Sequence, residues 1–130
     1  MKLLLDTHVW VWMRLDPDRL DPRARRRIED SSNELWFSPI SAWELLQLAD
    51  RGRLRLAPDA PTWIRNSIAT MAVSVAPVGV EIAIASRRID LPHGDPADRF
   101  LAATAQVLEL TLVTADERLL ACSDMKTLRA

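Results

Sequence analysis

The sequence is poor in cysteine and has no long hydrophobic run, and both shortages limit what the protein can be. Cys122 is the single cysteine among 130 residues, which excludes an intramolecular disulfide and a cysteine-based zinc site. A reducing cytoplasm therefore fits best. No stretch approaches the roughly 20 apolar residues that a membrane-spanning helix needs. Asp6 interrupts the apolar start of the chain, which predicts a buried strand rather than a signal peptide. We expect a soluble protein with no membrane association.

The chain also lacks a strong net charge. Its 17 basic and 18 acidic residues give a formal net charge of −1, so the total does not indicate a nucleic-acid-binding protein. All but two of the basic residues are arginines, and several are clustered, at Arg23, Arg25, Arg26 and Arg27, at Arg51, Arg53 and Arg55, and at Arg87 and Arg88. Guanidinium groups suit phosphate oxygens. Clusters of this kind are also common on solvent-exposed helix faces.

The pattern of apolar residues predicts a single α/β domain over residues 1–130. With 48% hydrophobic residues the chain is long enough for one core and too short for two ordinary domains. Strands are predicted at 3–5, 34–38, 73–78 and 112–114, helices at 9–13, 22–29, 41–49, 63–71, 80–88, 96–108 and 116–121, and loops at 56–61 and 91–94. The alternation of strands and helices predicts a parallel sheet with helices on both faces. The tail after these elements carries no clear pattern.

Four acidic residues lie where an apolar run ends or a helix begins: Asp6, Glu44, Asp98 and Asp116. In an alternating strand and helix fold, ligands bind at the carboxyl ends of the parallel strands, so these distant residues can meet there. Carboxylates brought together repel one another unless a cation joins them. Oxygen ligands without thiolates or a histidine cluster favour Mg²⁺ or Mn²⁺. His8 is not assigned to the metal, because an isolated histidine is more often structural.

Each acid also has a local structural explanation. Asp6 can cap a helix that begins near Val9. Ser41 with Glu44, and Thr114 with Glu117, have the spacing of a capping box, which would make Asp116 a first-turn acid. Asp95 before Pro96 is typical of an N-cap followed by proline at the first helical position, with Asp98 one turn on. Capping does not explain why all the acids recur at strand-to-helix boundaries on one side of the predicted sheet.

Four stretches, taken in order, resemble the PIN-domain family, and in particular the VapC toxins of bacterial type II toxin–antitoxin pairs. They are Leu-Leu-Leu-Asp-Thr-His-Val-Trp, Ser-Pro-Ile-Ser-Ala-Trp-Glu-Leu, Asp-Pro-Ala-Asp-Arg-Phe-Leu-Ala-Ala-Thr-Ala and Leu-Val-Thr-Ala-Asp-Glu. The resemblance covers residues 3 to about 121. One such stretch alone would be a weak signal, whereas four in the family's order are specific. The resemblance implies a PIN-like three-layer α/β/α sandwich with a central parallel sheet of four to five strands.

The same resemblance implies the site residues and the activity. The family's four acids fall on Asp6, Glu44, Asp98 and Asp116, and Asp95 matches an extra acid of the subgroup with Asp-Pro-x-Asp-Arg. Whether Asp95 or Asp98 lies closer to the metal stays open, although the Leu-Ala-Ala that follows favours Asp98. Thr114 falls where the family often has a hydroxyl. The implied protein is a Mg²⁺-dependent endoribonuclease, with Mn²⁺ as a possible substitute.

In the implied mechanism, Asp6 and Asp98 hold the principal ion, while Asp116 and Glu44 hold a second ion or orient the attacking water. Arg99 and the arginine clusters are candidate contacts for RNA phosphates. The resemblance further implies a small antitoxin partner whose tail lies in the active-site groove, and a homodimer. Five tryptophans and no tyrosine agree with a partner surface, for which Trp12 and Trp43 are the first candidates.

Two other classes of function compete with the nuclease. A PIN-like module that binds RNA or protein without cutting would be expected to lack some of the acids, and none is missing here. An aspartate-based phosphoryl-transfer enzyme or receiver domain would need a second aspartate two residues after Asp6, or a lysine late in the chain. His8 stands at the former position, and Lys126 lies too near the end to serve. The identity of the RNA and the number of ions stay open.

Overall fold

A computed structural model describes residues 1–92 and 94–130 of the chain, and it contains one parallel sheet of five strands. The strands are β1 Lys2–Leu5, β2 Glu34–Phe37, β3 Ser74–Val75, β4 Thr111–Thr114 and β5 Lys126–Arg129. Their order in the sheet is β3-β2-β1-β4-β5, and every neighbouring pair is parallel. The predicted α/β class with a parallel sheet of four to five strands is confirmed.

Seven α-helices connect the strands in the described residues. They are α1 Thr7–Leu15, α2 Pro22–Glu29, α3 Pro39–Asp50, α4 Ala60–Met71, α5 Val80–Arg88, α6 Pro96–Val107 and α7 Glu117–Leu120, and a short 3₁₀ turn at Pro17–Arg19 follows α1. None of the helices in these residues has the length and apolar character needed to span a membrane. The predicted loop 91–94 includes residue 93, which lies outside the described residues.

Strand β1 is the centre of the fold because its side chains are buried on both faces of the sheet. Leu3, Leu4 and Leu5 are all fully buried, as expected for an inner strand of a parallel sheet. Since successive side chains point to opposite faces, Leu3 and Leu5 join one core and Leu4 joins the other. The sheet is therefore covered by helices on both sides, which is the predicted three-layer arrangement.

The two cores differ in the residues that fill them. The core around Leu3 and Leu5 contains large aromatic side chains, and the rings of Trp10 and Phe37 lie with their centroids 4.1 Å apart. The core around Leu4 includes residues of α6, whose small side chains Ala102 and Ala105 are buried in it. Alanine at these positions lets the helix backbone lie close to β1 and β4, which brings the start of α6 to the carboxyl ends of these strands.

Several helix boundaries follow local sequence signals, and one prediction fails for a local reason. Asp21, Ser38 and Asp95 each cap a helix that has proline at its first position, the position that tolerates the missing N–H. Helix α3 therefore begins at Pro39, and Ser41 lies buried inside it. The predicted capping box between Ser41 and Glu44 is wrong, because Ser38 takes the capping position.

Strands at the edges of the sheet were the hardest to predict. β3 covers only Ser74–Val75, shorter than the predicted 73–78, and Pro77 has no N–H to extend a ladder. β5 was not predicted at all, because its sequence Lys-Thr-Leu-Arg is half exposed and polar. It is specified by pairing with β4, from Thr111 opposite Lys126 to Thr114 opposite Arg129.

Candidate active site

The predicted acids lie together at the carboxyl ends of β1 and β4. One cavity of about 350 Å³ is lined by Asp6, His8, Trp12, Glu44, Asp95, Asp98, Ala115, Asp116 and Arg118. The sheet register explains the meeting: Leu5 pairs with Val113, so the residues that follow them, Asp6 and Thr114, lie side by side. The middle of α3 supplies Glu44, the start of α6 supplies Asp95 and Asp98, and Asp116 follows β4 as the N-cap of α7. All five acids predicted from sequence thus line the same cavity.

Asp6 is held in one orientation by hydrogen bonds to both of its carboxylate oxygens. Its Oδ1 accepts from the backbone N–H of Thr7 at 2.7 Å, and its Oδ2 accepts from the hydroxyl of Thr114 at 2.7 Å. The side chain is only 8% exposed. Burial raises the pKa of Asp6, while the hydrogen bonds from Thr114 and Thr7 act in the opposite direction. Asp6 is at once the N-cap of α1 and a member of the acid cluster.

Thr7 connects Asp6 to Glu44. Its backbone N–H donates to Asp6, and its hydroxyl donates to Glu44 Oε1 at 2.6 Å. The hydroxyl of Ser41 lies within hydrogen-bonding distance of the same Thr7 oxygen, at 2.9 Å. Burial raises the pKa of Glu44, the Thr7 hydrogen bond opposes this, and the charges of Asp6 and Asp95 add to the rise. The structure therefore places Thr7 between two carboxylates.

Asp95 and Asp98 occupy the start of α6, as predicted. Asp95 Oδ1 accepts from the backbone N–H of Ala97 at 3.0 Å and from that of Asp98 at 3.4 Å, so Asp95 is the N-cap. The side chain of Asp98 is 13% exposed. Burial first, and then the charges of Asp95, Asp6, Asp116 and Glu44, raise the pKa of Asp98 to about 7. The negative charges of all four other acids in the cavity therefore contribute to the raised pKa of Asp98.

Asp116 differs from the other acids because an arginine neutralises it. It caps α7, and its Oδ1 accepts from the Arg118 backbone N–H at 2.8 Å. The Arg118 guanidinium donates to Oδ1 through Nε at 3.3 Å and to Oδ2 through Nη2 at 3.0 Å. These bonds lower the pKa of Asp116. Arg118 Nη2 is also 4.0 Å from Asp98 Oδ2.

Two sequence predictions about this end of the cavity are corrected by these contacts. Asp116 is not a first-turn acid in a Thr114–Glu117 capping box, because Thr114 ends β4 and donates to Asp6. Glu117 forms an ion pair with Arg129 of β5 instead. Arg118 was missed altogether, although a basic residue two positions after a capping aspartate is close enough to bond to it.

The donor set suits a hard divalent cation in chemistry and charge. The cavity offers carboxylate oxygens with the Thr7 and Thr114 hydroxyls behind them, and the pKa of Asp98 is raised first by burial and then by the charges of the neighbouring acids. Oxygen donors of this kind are the ligands of Mg²⁺ and Mn²⁺. As the side chains stand, the described part of the chain has no group of three or more acidic, histidine or cysteine residues positioned to hold an ion. Ligation would therefore require rotation of carboxylates, above all of Asp116 away from Arg118.

Arg99, which the sequence suggests as a phosphate contact, is bonded to the backbone in this structure. Its guanidinium donates to three backbone carbonyl oxygens, those of Ser86 at 2.8 Å, Ile89 at 2.9 Å and Leu91 at 3.3 Å. These bonds attach α6 to the C-terminal end of α5 and the residues after it. Arg99 is a structural residue that fixes the position of the first turn of α6, where Asp98 lies.

A second cavity of about 450 Å³ adjoins the acidic one and contains two arginines among mainly apolar side chains. It is lined by His8, Val11, Trp12, Leu15, Asp16, Arg19, Leu48, Arg53 and Leu54. His8 and Trp12 line both cavities. The Arg19 guanidinium lies 4.7 Å from the centroid of the Trp12 ring, and the His8 ring is stacked on Trp12 with centroids 6.2 Å apart. The Arg19 guanidinium and the rings of Trp12 and His8 thus lie next to the acidic cavity.

Trp43, the other predicted partner contact, lies on a separate apolar groove. Its side chain is 49% exposed. The groove is lined by Pro39, Ile40, Trp43, Val78, Pro96, Ala97 and Phe100. Trp10 and Trp63 are buried in the core and Trp12 is partly buried, so Trp43 is more exposed to solvent than these three tryptophans.

Comparison with known proteins agrees with this architecture. Residues 3–123 match the PIN domain family. The sequence is 38% identical over 120 residues to Ribonuclease VapC22 of Mycobacterium tuberculosis, covering 90% of this chain and 88% of that protein. In structure the chain resembles VapBC2 of Rickettsia felis bound to a promoter DNA fragment, with a TM-score of 0.75, 14% identity and coverage of 100% and 99% of the two chains. It also resembles VapBC-1 of nontypeable Haemophilus influenzae, with a TM-score of 0.68, 20% identity and coverage of 99% and 98%. The family match, the curated relative and the shared fold together place the chain in the PIN-domain family, among the VapC-type proteins.

Proposed function

We propose that this protein is a Mg²⁺-dependent endoribonuclease and the toxin of a toxin–antitoxin pair. The observation that carries the proposal is the convergence of Asp6, Glu44, Asp95, Asp98 and Asp116 on one cavity at the carboxyl ends of two parallel strands. The 38% identity to a protein named as a ribonuclease supports the activity. Mn²⁺ is expected to substitute for Mg²⁺, since both accept oxygen ligands.

The carboxylates divide into two groups by their surroundings. Asp6 is fixed at both oxygens by neutral donors. Asp98 is buried beside four other acids, which disfavours its negative charge unless a cation is bound. These two carboxylates would therefore hold the principal ion. Asp116 and Glu44 would hold a second ion or orient water. A bound divalent ion would lower the pKa of an attacking water and stabilise negative charge on the phosphate. Asp95 would act chiefly by capping α6 and adding negative charge, and Asp98 would be the closer of the two to the metal.

The chain's own residues would orient the reaction. Glu44 is half buried and held at one oxygen by Thr7, so it is placed to accept a proton from water at a fixed position. Attack by water on the phosphodiester would leave a 5′-phosphate and a 3′-hydroxyl. The RNA would approach along the neighbouring cavity, where Arg19 and Arg53 offer positive charge beside the Trp12 ring. Binding is therefore expected to weaken with salt.

Partners are proposed on separate grounds. Solved structures with the same fold include VapBC complexes, which supports a small antitoxin partner whose tail would enter the groove beside the acids. We also propose a homodimer, in which the exposed Trp43 groove would be buried. A soluble cytoplasmic location remains the prediction from the single cysteine.

The test of the proposed function is cleavage of RNA by purified protein. Labelled total RNA is incubated with the wild type and Asp6→Asn in Mg²⁺, in Mn²⁺ and in EDTA, and fragment ends are sequenced. Asp90→Asn, at an exposed position between α5 and α6, is the matched control. The proposal expects discrete metal-dependent cuts that Asp90→Asn retains and Asp6→Asn loses.

A non-cleaving PIN-like binding module is the second candidate. One observation favours it: among the described residues, the acids as they stand form no ready group for an ion, and Arg118 engages Asp116. This candidate predicts RNA or protein binding that is indifferent to EDTA and to Asp6→Asn. Folded, metal-loaded and antitoxin-free protein that cuts no RNA would favour the module over the nuclease.

A further inference from the structure

Arg118 is the arginine that lines the acidic cavity among the described residues. Its guanidinium makes two hydrogen bonds to Asp116, through Nε and Nη2, and Nη2 lies 4.0 Å from Asp98 Oδ2. A positive charge of the protein is therefore placed between two of the carboxylates that would ligate a divalent cation. Two positive charges that share these carboxylates must repel each other.

Three arginines outside the acidic cavity make contacts of their own. Arg99 donates to three backbone carbonyl oxygens, Arg19 lies over the Trp12 ring, and Arg129 pairs with Glu117. Arg118 is 53% exposed at its side chain, so its guanidinium can move toward solvent without a change in the backbone. Its planar fork suits phosphate oxygens as well as carboxylate oxygens.

We propose that Arg118 exchanges partners during the reaction: it is the counter-ion of Asp116 and Asp98 until a divalent cation takes that place, and it then contacts the RNA phosphate. The inference rests on the proposed metal site and deepens it. Arg118 would thus be a catalytic residue whose substrate contact depends on the metal. A purely structural ion pair, the simpler interpretation, would add a little stability at the start of α7 and would leave RNA binding unchanged.

The exchange predicts effects of opposite sign in a single variant, which a structural role would not produce. Arg118→Gln removes the competing charge, so the affinity for Mn²⁺ or Mg²⁺ without RNA should increase by roughly three- to tenfold. The same change removes a phosphate contact, so RNA should bind less tightly. Arg118→Lys keeps the charge but loses the planar fork, and it should lie between the wild type and Arg118→Gln in both measurements.

The experiment measures the two bindings separately. Mn²⁺ and Mg²⁺ are titrated by calorimetry into EDTA-treated and desalted full-length protein. A labelled single-stranded RNA oligonucleotide is titrated in Ca²⁺ and followed by anisotropy at several salt concentrations. Arg118→Gln should lower the slope of log affinity against log salt by about 0.7, the value for one phosphate contact to a single strand. Arg129→Gln is the matched control, because Arg129 is 56% exposed at its side chain and pairs with Glu117 outside the cavity.

The outcomes separate this inference from the proposed function. Unchanged or weaker metal affinity in Arg118→Gln, or unchanged RNA affinity and salt slope, would overturn the exchange. If the wild type binds metal through Asp6 and cuts RNA, and Arg118→Gln behaves like Arg129→Gln, the proposed nuclease activity stands and the proposed role of Arg118 is refuted. Absence of metal binding in both wild type and Arg118→Gln would instead refute the proposed metal site itself.

Discussion

Replacement of Asp98 by asparagine is expected to stabilise the fold when no divalent cation is present. The Asp98 carboxyl is buried beside Asp95, Asp6, Asp116 and Glu44, and its pKa rises from 3.8 to about 7. Between these two pH values the folded protein holds a proton that the unfolded chain has lost. The free energy of unfolding therefore falls as the pH rises from about 4 to 7 and is flat on either side of that window, as far as this group is concerned.

The size of the effect follows from the shift. One pKa unit corresponds to about 1.4 kcal/mol, so a shift of roughly three units sets a ceiling near 4 kcal/mol above pH 7. Rotation of neighbouring carboxylates and uptake of protons by Asp6 or Glu44 reduce this. The helix dipole favours a negative charge in the first turn of α6 by about 0.5 kcal/mol, which opposes the gain. We expect Asp98→Asn to be more stable than wild type by about 1–3 kcal/mol at pH 8.

The assay is urea unfolding in EDTA at pH 5 and pH 8, followed by tryptophan fluorescence. The increase in the free energy of unfolding caused by Asp98→Asn should be larger at pH 8 than at pH 5. Added Mg²⁺ should reduce the difference in stability between Asp98→Asn and the wild type, because the ion stabilises the wild type. Asp90→Asn is the control and should not show this dependence on pH. Asp98→Asn equal to or less stable than wild type at pH 8 would refute the reasoning, because the carboxylates would then not repel one another.

Further predictions concern metal binding, orientation, anchoring and assembly. Burial and the neighbouring acids raise the pKa of Asp98 to about 7, and a carboxyl group must lose its proton to bind a metal ion. Mn²⁺ affinity measured by calorimetry should therefore fall by up to about tenfold per pH unit below pH 7. Constant affinity from pH 5 to pH 8 would contradict this prediction. Thr114→Val removes the donor to Asp6 Oδ2 and should lower RNA cleavage by about 10–100-fold, with Thr114→Ser as the control that retains activity and circular dichroism as the check on folding. Arg99→Met removes three bonds to carbonyl oxygens and should cost about 2–4 kcal/mol of unfolding free energy, whereas an unchanged urea midpoint would refute the structural role. Trp43→Ser should shift the mass measured by light scattering from dimer to monomer, and a dimer of unchanged stability would exclude the Trp43 groove as its interface.

Much of the fold was specified by local signals that the sequence displays directly. The buried run Leu3–Leu5 in β1, the Asp-Pro helix starts, and the alternation of strands and helices each follow from burial or capping chemistry within a few residues. These signals predicted the parallel sheet and the helices on both of its faces. They failed at β5, because the pairing of a half-exposed edge strand depends on its neighbour rather than on its own composition.

The acids could be found from the sequence because Asp6 and Asp116 follow strands and Asp98 begins a helix. Glu44 differs, because it lies in the middle of α3 rather than at its start. The pKa shifts and hydrogen-bond partners of these acids could not be predicted, because they depend on groups that only the tertiary structure brings close. Thr114 is 108 residues from Asp6 along the chain and still donates to it. Arg99 has the position of a phosphate ligand in the motif, yet nearby carbonyl oxygens bind it. Composition and spacing determined which residues form the site, whereas packing decided which carboxylate is neutralised by Arg118 and which is left, as Asp98 is, with a pKa near 7.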